Sequence, residues 1–127
     1  MSVQTNQPIV MVMDDDEDVR FIAGILLNKL GFAIEFASSG EEAIEKCQKS
    51  FSAGVRYKAA ILDLNVPGGM GGREALPRLI QIDPDIVAYV SCGNPYDAVV
   101  ENPEAFGFKG AINKPFLPEQ LKVLLGK

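Results

Sequence analysis

The chain has no histidine and no tryptophan among its 127 residues, and only two cysteines. Without histidine there is no side chain that titrates unperturbed near neutral pH, none of the commonest metal ligand, and no phosphohistidine formed within this chain. A bound metal would be held by oxygen, which points to a hard cation such as Mg²⁺. Cys47 and Cys92 lie inside apolar periodic segments with no secretory signal ahead of them. A disulfide framework is therefore not expected, and a reducing cytoplasm is. No apolar run approaches the roughly 20 residues that a membrane helix needs, and residues 1–7 are polar without a basic region. Membrane insertion is not expected. No block of Lys and Arg stands out, and the net charge is −5. Direct nucleic-acid binding, which needs clustered positive charge, is disfavoured.

Apolar residues make up 47% of the chain and charged ones 23%, as in an ordinary globular domain. The length suits one domain over residues 1–127, with 1–8 a loose polar tail. Its centre is the stretch 59–69, an apolar run that delivers Asp63 and then breaks into a loop holding Pro67 and Gly68. Such a run reads as a strand buried on both faces. The stretch 9–18 is a second run of this kind and ends in Asp14, Asp15, Asp16, Glu17 and Asp18. A third, 110–116, ends in Lys114 and Pro115. As neighbouring parallel strands these would bring the acids and Lys114 to one sheet edge, where open α/β sheets place their ligands.

Between these runs the signals alternate. Asp16 can cap a helix whose first turn carries Glu17 and Asp18, so those three acids have a structural explanation that Asp14 and Asp15 lack. Val19, Ile22, Ala23, Leu26 and Leu30 follow helical spacing, and Gly31 stops the helix. A short strand over 32–37 leads to a capping box at Ser39 and Glu42, opening a helix with Ala43, Ile44, Cys47 and Phe51 on one face. Strands are expected at 57–62, 86–91 and 109–113. Pro77 either opens a late-starting helix or kinks one that begins near Gly72. Pro103 breaks the helical pattern of 96–106, and Pro118 starts a closing helix that buries Leu121, Leu124 and Leu125. Regular alternation of strand and helix argues for a parallel sheet covered on both faces.

With Asp14 and Asp15 after the first strand, Asp63 after the third, the Pro67/Gly loop, and Lys114-Pro115-Phe116 after the fifth, the chain resembles the receiver domains of bacterial two-component response regulators. The likeness runs from Pro8 to Leu125. It looks most like receivers of hybrid sensor histidine kinases. The resemblance implies a flavodoxin-like doubly wound α/β fold, a five-stranded parallel sheet in the order 2-1-3-4-5 with five helices; the order is the one the general rule illustrates with a receiver. It assigns Asp63 as phospho-acceptor and Lys114 as the ligand of the phosphoryl oxygens. Asp15, Asp63 and the carbonyl of Asn65 would bind Mg²⁺, with Asp14 holding a water on it. It implies a histidine kinase or phosphotransfer domain as donor, and a kinase or output domain attached in a full-length protein. It implies no enzyme beyond catalysis of the chain's own phosphorylation and dephosphorylation.

Two positions depart from the pattern. Counting back from Lys114, Cys92 stands where receivers carry a Ser or Thr that bonds the phosphoryl group, and Ala111 where they carry a switching aromatic. A thiol is a weak donor, so the usual relay is expected to be weakened. Ser91 would replace Cys92 only if the strand slipped in register, because neighbouring side chains face opposite ways. Asn65 and Asn94 would flank the phosphoryl group and tune its hydrolysis. Two other classes compete: a Mg²⁺-dependent aspartyl-phosphate phosphatase, which lacks a second acid because Asn65 stands two residues after Asp63, and a flavin or nucleotide binder, which lacks a phosphate-cradling loop after its first strand. A degenerate receiver acting as a binding module is a further alternative.

Overall fold

Each apolar run becomes a strand whose return connection lies over the sheet, so all five strands point the same way. The computed structural model describes residues 7–94 and 96–126; the expected tail, 1–8, falls almost wholly outside them. In chain order the elements are β1 (Ile9–Met13), α1 (Glu17–Lys29), β2 (Ala33–Ala37), α2 (Gly40–Ser52), β3 (Ala59–Asp63), α3 (Gly72–Ile82), β4 (Ala88–Cys92) and α4 (Ala98–Glu101). A 3₁₀ turn (Pro103–Phe106), β5 (Gly110–Asn113) and α5 (Pro118–Leu124) follow. The sheet runs β2-β1-β3-β4-β5, parallel throughout, as the resemblance implied.

Side chains alternate between two cores. Met11, Leu62 and Val90 pack with Cys47 of α2, Leu76 and Leu79 of α3, and Val99 of α4. Val12, Ile61, Tyr89 and Ile112 pack with Ala23 and Leu27 of α1 and Leu121 of α5. β3 and β4 are buried at every residue, which is why they read as unbroken apolar runs rather than as alternating ones.

Several boundaries and faces differ from expectation. β3 ends on Asp63 and β4 on Cys92, one residue later in each case than the apolar pattern suggested. In α1 the buried face is Ala23, Gly24 and Leu27, while Ile22 is 47% exposed. The cause is Gly24: a Cβ there would lie 3.0 Å from the ring of Phe36, so the bare backbone lets α1 roll toward β2. Ser39 caps α2 by accepting from the Glu42 N–H, but Glu42 reaches back to the N–H of Ser38 rather than to that of Ser39. Residues 96–106 form the broken helix that Pro103 required.

The Pro77 alternatives resolve to a helix starting at Gly72, with Pro77 in its interior. The loop after β3 forces that early start by folding back onto its own strand. A Cβ on Gly71 would lie 2.2 Å from the carbonyl oxygen of Leu64, and one on Gly72 2.9 Å from Leu62. Gly71→Ala is therefore expected to cost about 2 kcal/mol through forced backbone displacement, read as a lower urea midpoint. An unchanged midpoint would mean that the loop has room to move.

Candidate functional site

Because every strand is parallel, the carboxyl ends of β1, β3, β4 and β5 lie along one edge. Asp14 follows β1 directly, its N–H bonded to the Ala37 carbonyl of β2 at 3.0 Å. Asp63 is the last residue of β3, and Lys114 follows β5, joined to Pro115 by a cis peptide bond. Asp14 is 1% exposed and Asp63 4%, whereas Asp15 is open to solvent. The Lys114 ammonium bridges the two buried acids, at 2.6 Å from Asp14 Oδ2 and 3.1 Å from Asp63 Oδ1.

Local bonds hold the rest of the row. Asp14 Oδ1 accepts from the Asp16 N–H at 2.9 Å, and Arg20 Nη1 donates to the Asp14 carbonyl at 2.7 Å. Asp16 turns away to cap α1, accepting from Asp18 and Val19 N–H groups. This leaves Asp14, Asp15 and Asp63 as a cluster whose ligand atoms lie within 4.8 Å of one another. Its all-oxygen donor set suits a hard divalent cation. The Asn65 backbone lies near enough to the Asp63 carboxylate to favour its charged form.

Burial, and after it nearby Asp14, push the Asp63 carboxyl up to about 6 against the opposing pull of Lys114 and the Asn65 backbone. Burial works against the Lys114 ammonium, but its hydrogen bond to Asp14 and the two negative charges outweigh that, so its pKa is raised. A carboxylate held near its charged form's limit beside a fixed ammonium can act as a nucleophile toward an anion that the ammonium receives.

At the end of β4, Cys92 Sγ accepts from the Asn94 N–H at 3.3 Å, and Cys92 lies in register with Asn113. Val90 is in register with Ala111, both on the face covered by α3 and α4. Ser91 does face the other way, as alternation requires, but that is the face of Asp63, with which it is paired. No slip is needed to bring Ser91 there, and Cys92, expected at the site, projects instead into the core beneath α2, α3 and α4 because it alternates with Ser91 along β4. The place of Ser91 depends on the β3–β4 register, and the parity of that pairing is not written in either strand alone. Arg20 was also missed; its signal was a lone cation one turn into an acidic helix start.

Fold and site together define a doubly wound α/β domain with an acidic, lysine-bridged pocket at its carboxyl edge. The family model for the response regulator receiver domain matches residues 10–125, and the chain belongs to that family, whose members serve two-component signalling. It is 27% identical to the chemotaxis protein CheY of Thermotoga maritima over 119 residues, covering 93% of this chain and 94% of that one. Among solved structures it resembles the chemotaxis protein CheY4 of Vibrio cholerae, with a TM-score of 0.81 and 26% identity over 94% of this chain and 97% of that one. The receiver domain of the sensor histidine kinase PA1611 of Pseudomonas aeruginosa, solved with a magnesium ion in its active-site cleft, shares the fold at a TM-score of 0.80 and 18% identity, covering 94% of each chain.

Proposed function

We propose that this receiver accepts a phosphoryl group on Asp63 from a phosphohistidine of a histidine kinase or phosphotransfer domain, in the cytoplasm and with Mg²⁺. The observation that carries this reading is the Lys114 ammonium bridging Asp14 and Asp63, with Asp15 beside them. Asp14, Asp15, Asp63 and the carbonyl of Asn65 would hold the cation. When bound, it offsets the repulsion between a carboxylate and a phosphorylated donor, both of them negative. An Asp63 oxygen supplies the electron pair of the new O–P bond as the N–P bond to the donor imidazole breaks, the nitrogen keeping that pair. Lys114 turns to the phosphoryl oxygens. The chain so catalyses only its own phosphorylation and dephosphorylation. Asn65 stands where a phosphatase of this chemistry would need a second acid.

The donor reaches this edge over α1. Phe21 and Ile22 are exposed, and Val19, Ile22, Lys114, Pro115 and Phe116 line a shallow apolar pocket there. That pocket shares Lys114 with the site, so a donor seated on it would lie beside Asp63.

The test is incubation with Mg²⁺ and a small acyl phosphate, read by intact mass. A gain of one phosphoryl group is expected, and none when the metal is chelated before the donor is added; no gain beside an active donor with Mg²⁺ present would sink the reading. A separate expectation concerns transmission. Cys92 projects into the core beneath α2, α3 and α4, away from the face of Asp63, and Ala111 opposite Val90 has no rotatable side chain to turn inward. Cys92→Thr should therefore leave the chemical-shift response of β4 and β5 to a phosphate mimic as in wild type, and an enlarged response would count against this.

A further inference from the structure

Arg20 follows five acids in a row, Asp14, Asp15, Asp16, Glu17 and Asp18, with only Val19 between. Among the described residues its guanidinium nonetheless forms no ion pair. Nη1 donates instead to the backbone carbonyl of Asp14, at 2.7 Å. The direction follows from its place on the helix. α1 begins at Glu17, and a long side chain in a first turn points back past the helix N-terminus, here over the loop that leaves β1. On its other side the half-buried guanidinium faces the first turn of α2, where the Ser38 N–H first, and after it the charges of Lys46 and Arg20, hold the Glu42 carboxyl below its usual range.

The carbonyl that Arg20 holds belongs to the peptide unit joining Asp14 to Asp15. That unit is planar, so fixing its oxygen also fixes the Asp15 N–H and narrows the directions open to the Asp15 side chain. Asp14 has further anchors: its N–H donates to the Ala37 carbonyl, Oδ1 accepts from the Asp16 N–H, and Oδ2 meets Lys114. Asp15 has none of its own. Its carboxylate is exposed and, among the described residues, takes no hydrogen bond, yet one of its oxygens lies within 4.8 Å of the ligand atoms of Asp14 and Asp63.

We infer that Arg20 is a positioning residue for the cation: by holding the Asp14–Asp15 peptide it keeps the Asp15 carboxylate turned toward Asp14 and Asp63. The inference rests on the reading of this edge as a Mg²⁺ site that takes a phosphoryl group. Charge and position pull in opposite directions here. A guanidinium repels a divalent cation beside it, so an Arg20 that acted through charge alone would, on removal, leave Mg²⁺ more tightly bound. Acting through the peptide behind a metal ligand, its removal loosens the metal.

The test titrates wild type, Arg20→Met and Arg20→Lys with Mg²⁺, followed by backbone amide resonances with no phosphodonor present. Arg20→Met keeps the apolar stem and loses every donor, and should raise the Kd about tenfold, the lower end of what losing such a supporting bond costs. Its metal-free spectrum should change at Asp15 and Asp16 while β4 and β5 stay as in wild type. Arg20→Lys, which keeps the charge and a donor, should recover most of the affinity. In an Asp15→Asn background, Arg20→Met should change the Kd by less than about twofold, because the carboxylate it positions is gone. With a small acyl phosphate, Arg20→Met should need more Mg²⁺ for half-maximal phosphorylation and reach the wild-type rate at saturating Mg²⁺, since Asp63 and Lys114 are untouched. A folded Arg20→Met that binds Mg²⁺ as tightly as wild type, or more tightly, overturns the inference alone. A wild type whose Asp14, Asp15 and Asp63 amides do not respond to Mg²⁺ overturns the reading of the site, and the inference with it.

Discussion

Replacing Asp63 with asparagine should abolish phosphoryl uptake and, without metal, make the protein more stable at neutral pH. The amide has no electron pair basic enough to attack phosphorus, so no mass gain is expected. The stability follows from the sign of the perturbation. Burial, and then Asp14, lift the Asp63 carboxyl from 3.8 to about 6, so between pH 4 and 6 the folded state binds the proton that the unfolded state has released. Wild-type stability therefore falls as pH rises through that window, by at most about 3 kcal/mol for this group. Asp63→Asn removes that loss and leaves Lys114 paired with Asp14. Metal-free urea unfolding at pH 4.5 and pH 7 reads it. A variant weaker than wild type at pH 7 would mean that Asp63 is not held at a cost in the folded state. Mg²⁺ should then stabilise wild type more than the variant, because a cation bound only by the folded chain adds to its stability.

Lys114→Met should act in the opposite direction. It deletes the one ammonium between Asp14 and Asp63 and leaves two facing carboxylates in a site that water barely enters. Breaking a buried ion pair by removing one partner costs about 3 kcal/mol or more, and that loss should be largest at neutral pH and shrink toward pH 4 as Asp63 protonates. Adding Asp63→Asn to Lys114→Met should recover much of it, a coupling that independent sites do not show. The same denaturation series measures both effects. A loss equal at pH 4.5 and pH 7 would mean that Lys114 acts by packing its stem and not by charge. Phosphorylation should slow as well, since Lys114 is the ammonium placed beside Asp63 to receive the incoming oxygens.

The site was legible because its parts are strand ends. The runs that end in Asp14, Asp63 and Lys114 announce buried parallel strands, and the glycines after Asp63 announce a loop, so the acid cluster followed once the runs were ordered, while the strand order came only from the resemblance to receivers. What sequence left open was decided by contacts between segments. Gly24 against Phe36 rolled α1 so that Leu27 and not Ile22 is covered. Gly71 against the Leu64 carbonyl set where α3 begins, and with it the fate of Pro77. Ser91 is the plainest case. Alternation placed it correctly opposite to Cys92, yet which of the two shares a face with Asp63 depends on a pairing between strands 28 positions apart, and a shift of one residue would exchange them.

Lys114 stands 100 positions after Asp14, and its bridge joins the first strand of the chain to the last. A partly folded form in which β1 and β3 have paired while β5 is still undocked brings two acids face to face with no counter-ion from the chain. Such halfway states are penalised by their own electrostatics, so the contact that prepares the nucleophile also sharpens the cooperativity with which the whole sheet closes.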